Sequence, residues 1–339
     1  VDPVERYVES NYSYTSDNSG VSREHFDQLA DIIRQNTKDT AKVLEIGSNS
    51  GYLSIKLEQL GLSAEGVDPS TIMTNMARDR GLVSYTDFFS TSFIKSNRLE
   101  KAYDVLVGTN VFNHIDDIRD AMQAARQCLK ADGKLIIEVP SLEVLLEEAA
   151  FETIYHEHVN YFSLNIIKNL LSQFNFKINS HDLIEYMCGS WRIVATKTDN
   201  VELHKIDMDE VKSTIHALKH LHNTVKLSKS KIIEYLKYVK SQGRTMIAVG
   251  AATKGNTFLN TFGIGIDLID VVHETSVEKI GKFLPGSRIP IVSESNCDDF
   301  TDYLVLPYNI QVYIRNNSLY LDKMFFDYRA IIKECGNDN

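Results

Sequence analysis

One pattern limits this chain more than any other: an apolar run, Lys42 to Ile46, breaks into Gly47-Ser48-Asn49-Ser50-Gly51 and resumes as a helical stretch, Tyr52 to Leu60. Strand, tight glycine turn and helix in that order make half of a βαβ unit. The alternation continues. Strands are expected at Ala64 to Val67, at Val83 to Tyr85 with Asp87-Phe88-Phe89 behind it, at Tyr103 to Val107 and at Lys134 to Val139, with a helix at Ile118 to Leu129. Right-handed crossovers between such strands give a parallel, doubly wound sheet with helices on both faces, which binds ligands at the carboxyl ends of its strands. Ahead of the first strand, Phe26, Leu29, Ile32 and Ile33 fall at helical spacing between Arg23 and Asn36, with Ser22 as the N-cap. Beyond the last, a helix from Leu164 to Phe174 leads to Lys177 to Ile184 and Trp191 to Thr196, read as an antiparallel end of the same sheet.

The second half repeats the logic. Asp207 to Ser241 is a lysine-rich helix whose apolar residues, Val211 and Ile215 through Leu236 and Val239, recur at a spacing of about 3.5. It reads as a connector with a solvated basic face. Then come a strand at Thr245 to Val249, the turn Gly250 to Thr257, a helix to Phe262, strands at Leu268 to Val272 and Tyr303 to Leu306, and an aromatic helix around Tyr320 to Ile332. The expected fold is therefore α/β, a Rossmann-like domain followed by a second, smaller Rossmann-like domain. The expected boundaries are an N-terminal segment over 1–40, a first domain over 41–200 with an insertion at 151–163, a connector over 201–242 and a second domain over 243–339.

A chain of 339 residues has room for two such cores. Its formal net charge of -10 argues against general binding to nucleic acid, which draws on clustered Lys and Arg. No apolar run reaches the roughly 20 residues of a membrane span and no signal-peptide pattern opens the chain, so a soluble, cytoplasmic protein without a membrane partner is expected. Cys128, Cys188, Cys297 and Cys335 lie far apart without a CxxC pair, the pattern of free thiols. The chain begins at Val1 without an initiator methionine, as a piece of a longer or processed polypeptide would.

Two glycine turns carry the candidate ligand sites. Glu45, Gly47 and Gly51 form E-x-G-x-x-x-G directly after a strand, and Asp68 ends the next one, where a carboxylate can hold a ribose diol. Asp87 and Phe88 follow the third strand and Asn110 the fourth. This is not the G-x-G-x-x-G of dinucleotide sites, and it favours S-adenosylmethionine (AdoMet) over NAD, with Asn49 and Asn110 as further cofactor contacts. In the second turn Lys254 precedes Gly255, the reverse of a P-loop, so ATP hydrolysis is not indicated. Backbone amides with Lys254, Asn256 and Thr257 would suit a diphosphate, against the plainer reading of a helix cap.

Between the halves stands FETIYHEHVNYFS, Phe151 to Ser163, with Tyr155, His156, Glu157 and His158 in sequence. Histidine changes charge near neutral pH, and an adjacent carboxylate or phenol can orient it as a general base. Surface residues on a helix are the plainer reading. A metal at His156, Glu157 and His158 is disfavoured, since neighbours two apart on a helix point to different sides and there is no HExxH spacing.

Together VLEIGSNSGYL, Asn110 to Asp117, the FETIYHEHVNYFS stretch, Gly189-Ser190-Trp191-Arg192, GAATKGNTFLN and Lys282 to Gly286 resemble the nucleotide-sugar C-methyltransferases, in the same order across nearly the whole chain. The resemblance implies an AdoMet-binding domain, a second domain helping to bind the nucleotide, and a sugar cleft between them. It places the catalytic histidine at His158, with Glu157 and Tyr155 beside it. It also implies an N-terminal tyrosine on the sugar, Tyr12 or Tyr14, and substrate contacts at His114, Arg192, Lys254, Asn256, Thr257 and Lys282. Members usually open with a small cysteine-rich zinc domain, which this sequence lacks, and often carry Asp where Ser50 stands.

Carbon methylation needs a carbon nucleophile, so the expected reaction is loss of the C3 proton of a nucleotide-linked 4-keto-6-deoxyhexose to His158, then methylation of the enolate. No metal is required. Two other readings stay open at this stage: an O- or N-methyltransferase acting on a nucleotide sugar, and a non-catalytic module that binds sugar nucleotides within a larger polypeptide. The oligomeric state is left open.

Overall fold

The computed structural model describes residues 2–9, 14–17, 19–294, 301–308, 311–316, 319–320 and 323–337. Tyr12 and Cys297 lie outside them. Residues 1–142 and 156–207 form one compact unit, and residues 143–155 and 208–339 form the other.

In the first unit two N-terminal helices, α1 (Pro3–Tyr7) and α2 (Gly20–Gln35), precede β1 (Lys42–Ile46), α3 (Tyr52–Gln59), β2 (Ser63–Asp68), α4 (Thr71–Asp79), β3 (Val83–Thr86), α5 (Thr91–Ser96) and β4 (Tyr103–Thr109). A 3-10 turn at Phe112–His114, α6 (Ile118–Cys128) and the long β5 (Leu129–Pro140) follow. After α7 (Leu142–Glu147), which from Glu143 on belongs to the other unit, the first unit resumes with α8 (Leu164–Gln173), β6 (Phe176–Ile184) and β7 (Ser190–Lys197). The seven strands run in the order β3-β2-β1-β4-β5-β7-β6, parallel except for β7, which is antiparallel to both its neighbours.

Val43, Leu44 and Ile46 of β1 are buried because both faces of the strand are covered. Val43 packs with Phe26, Leu29 and Ile33 of α2 and with Leu53 and Leu57 of α3. Leu44 and Ile46 join Phe93, Phe112 and Met122 on the other side. Fully buried parallel strands require this composition. Chain order reverses between β1 and β4, so the crevice at their carboxyl ends is the expected ligand position.

Ser19 caps α2, its hydroxyl accepting from the Ser22 amide at 3.1 Å, so the helix begins three residues before the expected start and Ser22 is buried inside its first turn. The second unit contains α9 (Met208–Ser241), β8 (Thr245–Val249), α10 (Thr253–Phe262), β9 (Val271–Glu274), β10 (Ile291–Ser293), β11 (Thr301–Val305), α11 (Gln311–Arg315), β12 (Met324–Phe325) and α12 (Tyr328–Asn337). Its five strands are all parallel, in the order β10-β9-β8-β11-β12. The helix expected as a connector belongs to this unit: Ile232, Leu236 and Val239 in its second half are buried. The aromatic helix expected over 320–332 is instead a short strand and a later helix. Tyr320 and Phe325 pack with Tyr303 of β11, and Tyr328 opens α12. Among the described residues no helix is long and apolar enough to cross a membrane.

Candidate active site

The glycine turn after β1 is built for close approach. Gly47 and Gly51 have φ of 66° and 82°, and a Cβ on Gly47 would lie 2.7 Å from a Val111 methyl, so only glycine lets this turn lie against the segment that follows β4. Asp68, buried at the end of β2, accepts the Asn49 amide at 2.9 Å and the Ser70 amide at 2.8 Å, which fixes its carboxylate beside the turn. Burial raises its pKa above the usual range. Glu45 lies behind the turn, hydrogen-bonded by the Ser54 hydroxyl at 2.8 Å, and burial pushes it up to about 8. Asp87, just past β3, is exposed and accepts the Phe88 amide at 2.7 Å. Asn110 follows β4 at φ 50°, and among the described residues neither polar atom of its side-chain amide has a hydrogen-bond partner, nor does the Thr109 hydroxyl. A buried carboxylate, a left-handed glycine turn and unsatisfied polar atoms at the ends of β1, β2 and β4 fit a polar nucleoside ligand such as AdoMet.

Asn49 lies within the same turn. Its side-chain oxygen accepts from the Ser16 amide at 3.0 Å and the Ser50 amide at 2.8 Å, and its side-chain nitrogen donates to the Tyr14 carbonyl at 2.9 Å. The side chain staples the N-terminal segment to the glycine turn. Arg80 adds to the staple by reaching the Ser50 carbonyl at 3.2 Å and Asp17 at 3.1 Å.

The second cluster grows from the turn after β4. His114 Nδ1 lies 2.9 Å from the Glu157 carbonyl and 2.8 Å from the Tyr7 hydroxyl. A carbonyl only accepts, so Nδ1 carries the proton and Nε2 the lone pair. Burial lowers His114 to about 4 and keeps it neutral. Its ring meets that of His158 edge to face, centroids 4.9 Å apart. The Asn113 carbonyl accepts the Val159 and Asn160 amides at 2.9 and 3.1 Å, seating the chain just after His158 on the β4 turn. Arg6, its side chain fully buried, donates to the Glu157 carbonyl at 3.4 Å and pairs with Asp116. Burial raises the Glu157 carboxyl, opposed by His156 and Arg6. His156 is exposed. The stretch is not a helix beyond a 3-10 turn at Phe151–Thr153.

A third group lies near the end of β5. Buried Glu138 pairs with Arg192 Nε at 2.5 Å and His25 Nε2 at 2.7 Å, and His25 stacks on Tyr186 with centroids 3.6 Å apart. Tyr14 hydrogen-bonds to Tyr186 and Ser22. Among the described residues the terminal nitrogens of Arg192 have no hydrogen-bond partner, which leaves them to an anion or a carbonyl.

Sequence reasoning missed Arg6, Tyr7, His25 and Glu138. Only Tyr7 left a signal, since it opens the aromatic, polar run that ends at Tyr14.

Within the second unit, the turn after β8 is largely satisfied internally. Ala251 donates its amide to Glu274 at 2.9 Å and accepts from Lys279 at 3.0 Å, and a Cβ on Gly250 would lie 2.7 Å from Pro307. Thr257 donates back to the Thr253 carbonyl, and the Asn256 side-chain oxygen accepts from Asn260 at 3.2 Å. The N-cap of α10, Ala252, makes no side-chain hydrogen bond to the first turn of the helix. Asn260 also donates to the Pro285 carbonyl at 3.0 Å, which lays the loop after Lys282 along α10. Tyr155 closes the segment 143–155 that belongs to this unit.

Comparison with known proteins agrees with both halves. Residues 21–181 match the family model of a methyltransferase domain, and residues 186–324 match that of the C-methyltransferase C-terminal domain. The C-methyltransferase NovU of Streptomyces niveus is 29% identical over 307 residues, 87% of this chain and 73% of that protein. An uncharacterized methyltransferase of Oceanobacillus iheyensis is 25% identical over 51% of this chain and 84% of its own length. The crystal structure of the PH0226 protein from Pyrococcus horikoshii covers 55% of this chain and 95% of its own, at 20% identity and a TM-score of 0.46. With a methyltransferase domain joined to the C-terminal domain of the C-methyltransferases, the chain belongs to the AdoMet-dependent C-methyltransferase family.

Proposed function

We propose that the chain methylates C3 of a nucleotide-linked 4-keto-6-deoxyhexose, with His158 as the general base. The observation that carries this reading is the seating of the His158 segment on the turn after β4, the same turn that Gly47 abuts through Val111. A carbon acceptor needs a base next to the methyl-donor site, and the segment carrying His158 is bonded to the turn after β4, with the His114 ring against that of His158.

AdoMet, when bound, supplies an electrophilic methyl group for the substrate carbanion. Gly47, Gly51, Asp68, Asp87, Phe88 and Asn110 would hold it, with Asp68 for its ribose hydroxyls and Asp87 and Phe88 for its base. His158 takes the C3 proton, and the electron pair passes toward the C4 oxygen to give an enolate. Neutral His114 beside it adds no positive charge to oppose the imidazolium. Glu157 or Tyr155 orients the imidazole or stabilises the enolate oxygen. Arg192 and Tyr14 are assigned to the sugar, and Lys254, Asn256, Thr257 and Lys282 to the diphosphate, with the α10 amides.

The test is incubation with AdoMet and a panel of nucleotide 4-keto sugars, followed by mass spectrometry. A gain of one methyl on carbon supports the reading. Methylation at oxygen or nitrogen, or no methylation of any 4-keto sugar, overturns it.

A further inference from the structure

We infer that Arg329 is a positioning residue for the reaction, fixing the loop that ends in Tyr155. The inference rests on the reading of Tyr155 given above.

Arg329, on α12, is 2% exposed. One terminal nitrogen, Nη1, donates to both carboxylate oxygens of Glu152 and to the Ala149 carbonyl, each at 3.1 Å, and Nη2 donates to the Glu148 carbonyl. Phe151 stacks on Phe262 of α10 with centroids 5.4 Å apart. Ala149 is held at φ 49°, a left-handed conformation that costs a non-glycine residue about 1 kcal/mol. Residues 143–155, taken from the middle of the chain, are thus gripped by helices of the second unit.

A buried ion pair is a poor source of stability, because apolar residues of similar volume usually serve as well. It does specify one arrangement, since each carbonyl and carboxylate oxygen must meet its own donor. Backbone strain of the kind at Ala149 likewise persists where the surroundings over-determine a conformation. The strained Ala149 and the gripped Glu152 lie six and three residues before Tyr155. The loop is fixed in order to place that side chain.

The test is the double variant R329M/E152M, which removes both charges together and leaves neither one buried alone, with Arg329→Lys as the conservative variant. Expected in the double variant are a Tm within a few degrees of wild type and AdoMet affinity within about twofold. Amide exchange over residues 151–155 should accelerate about tenfold or more, and kcat should fall about tenfold with KM for the sugar nucleotide little changed. Arg329→Lys should recover part of kcat. Unchanged amide protection overturns the inference whatever the acceptor proves to be, and so does a loosened loop with unchanged kcat. Failure of the functional reading is visible separately, as the absence of carbon methylation by the wild type.

Discussion

His114 and His158 meet edge to face with ring centroids 4.9 Å apart, and His114 is held neutral by burial with its Nδ1 on the Glu157 carbonyl. Its pKa is lowered from 6.5 to about 4 in the folded chain. Between those values the unfolded chain binds a proton that the folded chain does not, so stability present above pH 6.5 is lost as pH falls toward 4. His114→Asn, which keeps a donor for the Glu157 carbonyl, should show a flatter fall of Tm across that window. Differential scanning calorimetry from pH 4 to 7 checks this, and parallel slopes for the two proteins would contradict it.

Glu45 has the opposite sign. Its pKa is raised from 4.5 to about 8, so the folded chain holds the extra proton and stability is lost as pH rises through about 8. Glu45→Gln keeps an acceptor for the Ser54 hydroxyl and cannot ionise. The variant should be the more stable protein at pH 9, by roughly 1–3 kcal/mol, and close to wild type at pH 5. Denaturant midpoints at the two pH values measure the difference.

Asn49 combines a left-handed backbone, φ 51°, with a side chain that staples Tyr14 and Ser16 to the glycine turn. Asn49→Gly and Asn49→Ala both remove the staple, and only alanine adds backbone strain. Alanine should therefore be less stable than glycine by about 1 kcal/mol, while amide exchange over residues 14–17 rises equally in both. Equal stability of the two variants would show that the backbone conformation carries no cost.

Much of the fold was legible where burial leaves a local trace. β1 and β8 match their expected spans because strands covered on both faces are rich in apolar residues, here Val43, Leu44 and Ile46 in the one and Met246 to Val249 in the other. The antiparallel end of the first sheet was also expected from its two strand-like pieces. The start of α2 was missed because Ser19 and Ser22 are both hydroxyls that can cap, and Gly20-Val21 adds no helical periodicity. The second half of the α9 stripe is buried in its own unit, which a spacing of apolar residues cannot distinguish from a free-standing helix. In the site, the ligand turn and the HEH stretch announced themselves by composition. The partners that hold the stretch did not: Arg6 reaches the Glu157 carbonyl from 151 positions away, and Arg329 reaches Glu152 from 177. Lone arginines at those distances carry no pattern a single sequence can reveal.

The central claim is that His158 makes a carbon nucleophile. The direct test is solvent deuterium exchange at C3 of the nucleotide 4-keto sugar, followed by NMR without AdoMet, for the wild type and for His158→Gln. Exchange is expected with the wild type. In His158→Gln, exchange and methyl transfer should both fall by about 10²–10⁴, with AdoMet affinity nearly unchanged. Exchange at the wild-type rate in His158→Gln, or methyl transfer by the wild type with no C3 exchange, would contradict it.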